Sequence, residues 1–338
     1  MRRCLFISLL SMMCVMCSSG SEWQSVIDNA HNNPSTPADP SDNEEPETPA
    51  DEPQQEPSGE AVVTFGVFTD SHYSATKANK TDRFYSASKQ KIQDAVDTFN
   101  AEKVDMVFSL GDLVDNEYED YQDVGQYLAQ LSMPMYKVLG NHDFITPFSS
   151  QQQTEALKVL GISNRYFSII KGDFRLIFLD TSDVAKYSNE EGTEAYRKAE
   201  NMLAILKDDL EPNAKQYNGA IGKQQQDWLD AELRAALNES QKVICFAHIP
   251  LYIDGAKQYT LWNGEDIKDM LAPYKCVKAF VAGHHHAGGY ADDGGFHHIT
   301  LKGMVMGEDT SYSVIRLYDD RMVIDGYGRE NDCEYKFR

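Results

Sequence analysis

From residue 61 onward, short runs of β-branched and aromatic residues alternate with longer segments in which apolar side chains recur every three or four positions. Runs of the first kind predict strands, at 62–69, 104–110, 135–139, 174–180, 242–247 and 277–282. Segments of the second kind predict helices with one apolar face, the clearest being 84–102 and 223–237. This alternation indicates an α/β fold.

The C-terminal part has a different pattern, with two strand-like segments in immediate succession. Residues 311–318 and 321–328 are separated by Asp319 and Asp320. A short polar connection of this kind between two strands predicts a β-hairpin. Neither an internal repeat nor a long polar linker interrupts residues 61–338, so we expect this stretch to be one domain.

Residues 1–17 have the pattern of an export signal. Arg2 and Arg3 precede an apolar run that ends near Met16 and is too short to span a membrane as a helix. Cys17 and the three small residues after it resemble a bacterial lipoprotein processing site, with Cys14 as a rival and plain secretion as the alternative. We therefore expect a protein exported from the cytoplasm to the periplasm or cell surface, held at the membrane only by a lipid anchor.

Residues 18–60 lack the apolar side chains that a packed core requires. The stretch 22–60 holds eleven Asp and Glu, no Lys or Arg, and seven of the twelve prolines. Such a segment cannot bury enough surface to offset its ordering entropy, so the sequence predicts a disordered acidic tether. The net charge of −22 disfavours binding to a nucleic acid polymer or to an anionic membrane surface.

Polar residues follow five of the six predicted strands, at the point where each strand ends. They are Asp70 and His72 after the first strand, Asp112 after the second, Asn141 and His142 after the third, His248 after the fifth, and His284 and His286 after the sixth. Each motif alone is ordinary turn chemistry or a buried histidine. Because ligands of α/β sheets bind outside the carboxyl ends of the strands, their conjunction predicts a functional site there.

The residue types at these strand ends suit a metal site. Carboxylates, imidazoles and an amide oxygen without a thiolate favour Mn²⁺, Fe, Zn²⁺ or Mg²⁺ and disfavour a structural zinc cage. Such a set of ligands exceeds what one ion uses, which indicates two divalent metal ions about 3.5 to 4 Å apart, bridged by one carboxylate. Two such ions can clamp both the attacking and the leaving oxygen of a displacement at phosphorus.

These motifs, in this order, resemble the signature of the calcineurin-like metallophosphoesterases. The matching residues are Asp70-x-His72, Gly111-Asp112, Gly140-Asn141-His142-Asp143, His248 and Gly283-His284-x-His286. The resemblance covers nearly all of residues 61–338. It implies a catalytic domain built from two packed mixed β-sheets flanked by helices.

The resemblance also implies a ligand set for each ion. One metal would be held by Asp70, His72, Asp112 and His286, and the other by Asp112, Asn141, His248 and His284. Asp112 would bridge the two ions, and His285 would point away from them.

The mechanism that the resemblance implies is hydrolysis of a small phosphorylated substrate. A hydroxide bridging the two ions would attack phosphorus in line with the leaving oxygen. His142 would stabilise charge on the phosphoryl oxygens or protonate the leaving group. Asp143 would orient His142.

Further stretches are similar to the manganese-dependent ADP-ribose/CDP-alcohol diphosphatases, which cleave the diphosphate bond of nucleoside diphosphate-linked compounds. These are RFY at 83–85, NGAIGKQQQDWLDAEL at 218–233, HIPLY at 248–252, LWN at 261–263, GHHHAGGY at 283–290 and MVIDGYGR at 322–329. Manganese is then the expected metal. One departure is His72, where that group commonly has glutamine, and a general phosphomonoesterase or phosphodiesterase of the same superfamily is the alternative.

Two aromatic residues are candidates for substrate binding. Trp262 and Tyr290 could stack on a base or sugar, and ordinary packing is the alternative for each. A purple acid phosphatase is disfavoured because Asp115 stands where that family has a tyrosine ligand. A tethered protein that binds metal without catalysis is a further alternative, but it has no need for His142 beside Asn141.

Overall fold

A computed structural model describes residues 59–144 and 149–338 of the chain. The predictions for residues 1–17 and for nearly all of 18–60 concern residues outside these ranges. Within the described ranges, no helix combines the length and apolar character that crossing a membrane requires.

The described residues form twelve strands and six α-helices. The strands are β1 Val63–Phe68, β2 Met106–Ser109, β3 Met135–Lys137, β4 Phe167–Lys171, β5 Phe174–Phe178, β6 Lys242–Phe246, β7 Val277–Ala282, β8 Gly289–Asp293, β9 Phe296–Thr300, β10 Ser311–Leu317, β11 Arg321–Gly328 and β12 Cys333–Lys336. The helices are α1 Ser88–Glu102, α2 Asp120–Leu128, α3 Ser150–Val159, α4 Glu194–Asp208, α5 Lys223–Asn238 and α6 Gly264–Leu271.

The strands make two mixed sheets of six strands each. The first sheet has the order β12-β11-β10-β1-β2-β3, in which β1, β2 and β3 are parallel and the other neighbours antiparallel. The second has the order β4-β5-β6-β7-β9-β8, with β5, β6, β7 and β9 parallel. Parallel strands end on the same edge of their sheet, so each sheet presents several loops at one edge.

The two sheets pack face to face through a core that is rich in phenylalanine. Phe65 and Phe108 of the first sheet are fully buried with Phe178 and Phe246 of the second. The ring centroid of Phe108 lies 4.5 Å from that of Phe65, and 4.9 Å from those of Phe178 and Phe246. These are the spacings of attractive aromatic pairs, so the core fixes one sheet against the other.

Helices cover the outer faces of both sheets. On α1, Ile92, Val96 and Phe99 recur at helical spacing and are buried in one cluster with residues of the first sheet. On α5, Leu229 and Leu233 are buried in a cluster with residues of the second sheet. Both helices therefore present the single apolar face that the sequence predicts.

The predicted fold class is confirmed, and so are the six predicted strands, which correspond to β1, β2, β3, β5, β6 and β7. The C-terminal hairpin is β10 and β11, turning at Asp319 and Asp320. Strands β4, β8, β9 and β12 were not predicted from the sequence. β8 is an edge strand of sequence GYADD, whose composition carries no strand signal, because its extended form comes from pairing with β9.

Candidate active site

Loops that follow β1, β2, β3, β6 and β7 meet at one end of the two sheets. Backbone hydrogen bonds tie them together: the N–H of Asp70 donates to Gly111 (3.0 Å), and that of Gly283 donates to His248 (2.9 Å). The structure therefore brings together the strand ends at which the sequence predicts a site.

The backbone at these ends is turned rather than extended. Asp70, His72, Asp112 and His284 have φ values of 52°, 41°, 52° and 67°, and they are half of the eight non-glycine residues with positive φ in the described ranges. Non-glycine residues in this region are strained, and such residues cluster at functional sites. The convergence of Asp70 and His72 therefore comes from this left-handed backbone and not from the alternation of side chains along an extended strand.

Two glycines allow the loops to approach the carboxylates closely. A Cβ on Gly140 would lie 2.1 Å from Oδ1 of Asp112, and one on Gly283 would lie 2.0 Å from Oγ1 of Thr69 and 2.6 Å from Oδ2 of Asp70. No side chain fits at such distances, so glycine is required for this packing.

One cluster of ligand atoms consists of Asp70, His72, Asp112 and His286. Nε2 of His286 lies 3.1 Å from Oδ1 of Asp70 and 3.2 Å from Nε2 of His72. Nε2 of His72 lies 3.4 Å from Oδ2 of Asp112. His286 is only slightly exposed, and the other three side chains are buried.

The second cluster consists of Asp112, His248 and His284, with the amide of Asn141 beside them. Nε2 of His248 lies 3.4 Å from Oδ2 of Asp112, 3.2 Å from Nδ1 of His284 and 3.2 Å from Oδ1 of Asn141. Oδ2 of Asp112 is thus equally distant from His72 and His248, one in each cluster. A carboxylate in this position would supply a ligand oxygen to an ion in either cluster.

The hydrogen bonds on the outer sides of the imidazoles fix which nitrogen carries the proton. Nδ1 of His248 faces the carbonyl oxygen of Leu110 at 2.8 Å, and Nε2 of His284 faces Oδ1 of Asn218 at 2.9 Å. Asn218 uses its Nδ2 to donate to two backbone carbonyls, so its Oδ1 is the acceptor. In their neutral forms, both histidines therefore carry the proton on the outer nitrogen and turn a lone pair inward.

These inward lone pairs point at one another. When both imidazoles are neutral, Nε2 of His248 and Nδ1 of His284 are 3.2 Å apart with no proton between them, and this repulsion is relieved either by a proton on His248 or by a metal cation. Two ligands about 2.1 Å from one ion, at angles between a right angle and the tetrahedral angle, are about 3.0–3.4 Å apart. The residues present therefore fit a divalent metal ion.

The buried carboxylates of the site also favour a positive charge beside them, as the pKa values of the histidines indicate. Burial lowers the pKa of His72 to about 4, and burial with the neighbouring His248 lowers that of His284 well below its ordinary value, so both favour the neutral form that binds metal. At His248 burial acts in the same direction, but the carboxylates of Asp112 and Asp70 outweigh it and raise the pKa to about 9. The carboxylates thus stabilise a cation at this position.

His142 lies beside these clusters and is held by two carboxylates. Its backbone N–H donates to Oδ1 of Asp112 at 2.7 Å, and its Nδ1 lies 2.6 Å from Oδ1 of Asp115. Burial lowers the pKa of His142, but Asp112 and Asp115 outweigh burial and raise it above the ordinary value. With 27% of its side chain exposed, His142 can carry a proton toward a bound molecule.

The structure corrects the role predicted for Asp143. Its carboxylate accepts from the backbone N–H groups of Gly140 at 2.9 Å and Leu113 at 2.8 Å, so it joins two site loops. Asp115 is the residue that holds His142, and its Oδ1 also lies 3.1 Å from Nδ1 of His72. Asp115 follows Asp112 by three positions, which places it near the site in the sequence. Its contact with His142, which lies on another loop, could not be predicted from that spacing.

Neither predicted stacking residue is placed against the candidate ligands. Trp262 is 4% exposed, lies in an apolar cluster with residues of α4, and donates its Nε1–H to the carbonyl of Lys215. Its buried ring offers no free face, so the packing alternative holds. Tyr290 is 44% exposed, but its ring stacks on Tyr335 and its hydroxyl bonds to His297.

Other aromatic residues, which the sequence analysis missed, do lie beside the ligands. The ring of Tyr217 is 5.6 Å from that of His284 and 6.0 Å from that of Tyr259. Tyr259 also packs at 4.5 Å on His285, whose ring belongs to neither metal cluster. No motif marks Tyr217 or Tyr259, since both come from loops far from His284 in the sequence.

Comparison with known proteins agrees with this geometry. Residues 63–288 match the model of the calcineurin-like phosphoesterase family. A manganese-dependent ADP-ribose/CDP-alcohol diphosphatase from Danio rerio is 30% identical over 312 residues, covering 80% of this chain and 97% of that protein. The protein of that name from Homo sapiens is 26% identical over 321 residues, covering 81% and 93%.

A solved structure shows the same relationship. A dimetal phosphatase from Danio rerio superposes with a TM-score of 0.73 at 28% identity, and the match covers 82% of this chain and 100% of that one. The range matched by the family model begins at β1 and extends past His286, so it contains every candidate ligand. The chain therefore belongs to the calcineurin-like phosphoesterase family and is a metallophosphoesterase.

Proposed function

We propose that this protein binds two divalent cations, with Mn²⁺ as the expected metal, and hydrolyses the diphosphate bond of nucleoside diphosphate-linked compounds. The observation that carries the proposal is the convergence of buried ligand atoms, with Nε2 of His248 and Nδ1 of His284 3.2 Å apart beside the carboxylate of Asp112. A divalent cation held by both nitrogens would offset the buried carboxylate without requiring a proton on His248. The names of the relatives support manganese as the metal and ADP-ribose or CDP-alcohols as substrates.

The two clusters supply the ligands for the proposed ions. Asp70, His72 and His286 would hold one ion, Asn141, His248 and His284 the other, and Asp112 both. When bound, the cations supply the Lewis acidity that makes water nucleophilic near neutral pH and that neutralises phosphoryl charge.

The protein side chains would then position the substrate and move the proton. His142, whose pKa is raised by Asp112 and Asp115 against the effect of burial, is the group that can hydrogen-bond a phosphoryl oxygen or donate to the leaving oxygen. Asp115 keeps Nδ1 of His142 occupied, so Nε2 is the nitrogen that remains for the substrate. Asp143 fixes the loop that carries His142.

The test is hydrolysis by the full chain, stripped of metal and reloaded with Mn²⁺, against four substrates. These are ADP-ribose, CDP-choline, a simple phosphomonoester and a simple phosphodiester. We expect both diphosphates to be preferred. Preference for either simple ester would instead favour a general phosphoesterase, and metal binding without turnover of any substrate would favour a binding protein.

A further inference from the structure

An aromatic stack lies at the side of the candidate metal site. Its members, here called the tyrosine platform, are Tyr217 and Tyr259. Their ring centroids are 6.0 Å apart and their planes are inclined by 26°. The ring of Tyr217 also lies 5.6 Å from that of His284, a candidate metal ligand.

The tyrosine platform is fastened to the metal site by one buried side chain. Asn218 follows Tyr217 directly and is fully buried. Its Nδ2 donates to the carbonyl of Gln258, next to Tyr259, at 2.9 Å, and to that of Asn213 at 3.0 Å. Its Oδ1 accepts from Nε2 of His284 at 2.9 Å. One residue therefore sets the distance between both tyrosines and the metal ligand, which is the preorganisation that tight binding requires.

The tyrosine platform keeps surface available to a ligand. Tyr217 is 37% exposed although the neighbouring rings of Tyr259 and His284 cover part of it. Tyr259 is held on a single 3-10 turn, Lys257–Tyr259, and packs on His285 at 4.5 Å. An aromatic surface beside a polar site suits a molecule that joins a flat group to a charged one.

We propose that the tyrosine platform binds the nucleobase of the substrate while its diphosphate lies at the metal site. This inference rests on the proposed function, because it assigns a subsite to the base of a nucleoside diphosphate-linked substrate. Stacking on tyrosine depends little on which base is bound, because every base has a π face. We therefore expect little discrimination between adenine and cytosine, but strong discrimination against diphosphates that have no base.

The test compares substrates with and without a base. The full chain, loaded with Mn²⁺, is assayed against ADP-ribose, CDP-choline and P1,P2-dimethyl diphosphate, which keeps the diphosphate bond. The measured quantity is kcat/KM for ADP-ribose or CDP-choline divided by kcat/KM for the dimethyl compound. Tyr217→Leu and Tyr259→Leu should each lower this ratio by about tenfold, mainly by raising KM for the nucleotide. Tyr217→Phe, which keeps the ring, should restore the preference. Tyr196→Leu, on α4, is the matched control and should leave the ratio unchanged.

A binding measurement separates this inference from the proposed function. By titration calorimetry, AMP and CMP should bind the Mn²⁺-loaded protein about tenfold more tightly than ribose 5-phosphate, and Tyr217→Leu should remove the difference. If the wild type hydrolyses nucleoside diphosphates but the leucine variants keep the wild-type ratio, the inference is wrong and the proposed function stands. If the wild type prefers simple esters, the proposed function fails, and equal binding of AMP and ribose 5-phosphate would overturn the inference as well.

Discussion

At the scale of single residues, three of the four candidate histidine ligands have a hydrogen-bonding partner on their outer side. Leu110, Asn218 and Asp115 occupy the outer nitrogens of His248, His284 and His72, respectively. Such outer contacts fix the tautomer and the ring orientation of a metal-binding histidine. These hydrogen bonds therefore help to determine which nitrogen of each histidine is available to a metal.

His142→Ala provides a direct test of the acid role. His142 lies outside the two clusters assigned to the ions, although with His72 and Asp115 it forms a third group of potential ligand atoms; its Nδ1 is held by Asp115 and its backbone N–H by Asp112. We expect kcat to fall by about 10²- to 10⁴-fold, the range for a lost general acid, while elemental analysis still finds both metals. Loss of a metal together with activity would show that His142 supports the ions instead.

Asp115→Asn should change the pH dependence of turnover. The Asp115 carboxylate is one cause of the raised pKa of His142, so removing its charge should lower that pKa. A protonated His142 is lost as pH rises through its pKa, and the alkaline limb of kcat should therefore move to lower pH. The measurement is kcat against pH at saturating Mn²⁺. An alkaline limb at the wild-type position, with metal content intact, would assign it to another group.

At the scale of elements, the site depends on the face-to-face packing of the two sheets. The first sheet carries the loops with Asp70, Asp112 and Asn141, and the second carries those with His248 and His284. Both clusters of candidate ligands draw residues from both sheets. The aromatic core that joins β1 and β2 to β5 and β6 is thus what holds the two halves of the site in register.

Phe108→Ala should destabilise the fold strongly. Phe108 is fully buried and contacts the rings of Phe65, Phe178 and Phe246 across both sheets. Deleting a buried phenylalanine ring costs about 3–5 kcal/mol in free energy of unfolding, measurable by urea denaturation in the presence of chelator. Ile205→Ala on α4, where the side chain is 61% exposed, is the control and should change stability by less than about 0.5 kcal/mol. Equal effects would contradict the assignment of the core.

At the scale of the whole molecule, the loops enclose a buried group of carboxylates in a chain of net charge −22. Burial lowers the pKa of His248, but Asp112 and Asp70 outweigh burial and raise it to about 9, so without a metal the protonated form of His248 supplies positive charge there. The cation and this proton are therefore alternatives at one position. Metal binding, protonation and folding are coupled as a result.

Metal removal should make stability more dependent on pH. The folded-state pKa of His248, about 9, lies above the unfolded value of about 6.5. Its contribution is therefore fully present below pH 6.5 and is lost as pH rises through 9. The urea midpoint of the metal-free protein should fall between pH 6.5 and 9, while that of the Mn²⁺-loaded protein should stay higher and change less. Parallel curves for the two forms would show that the proton and the metal do not compete.

The sequence by itself determined the α/β fold class and which residues stand at the strand ends. Asp70, Asp112, His248 and His284 each follow an apolar run directly, and a strand with a polar turn after it is a local signal. Local patterns survive folding, so these predictions could be made without the structure. Strands β8 and β12 could not, because their short polar sequences become extended only by pairing with neighbours.

Only the tertiary structure decided how the site works. The bond between Asn218 and His284 joins residues 66 positions apart, and that between Asp115 and His72 joins residues 43 apart. Such contacts decide which nitrogen of each histidine faces inward, which carboxylate holds His142, and which tyrosines lie beside the candidate ligands. The physical reason is that side-chain direction at positive φ and proximity between loops are set by the packing of the two sheets, which no local pattern encodes.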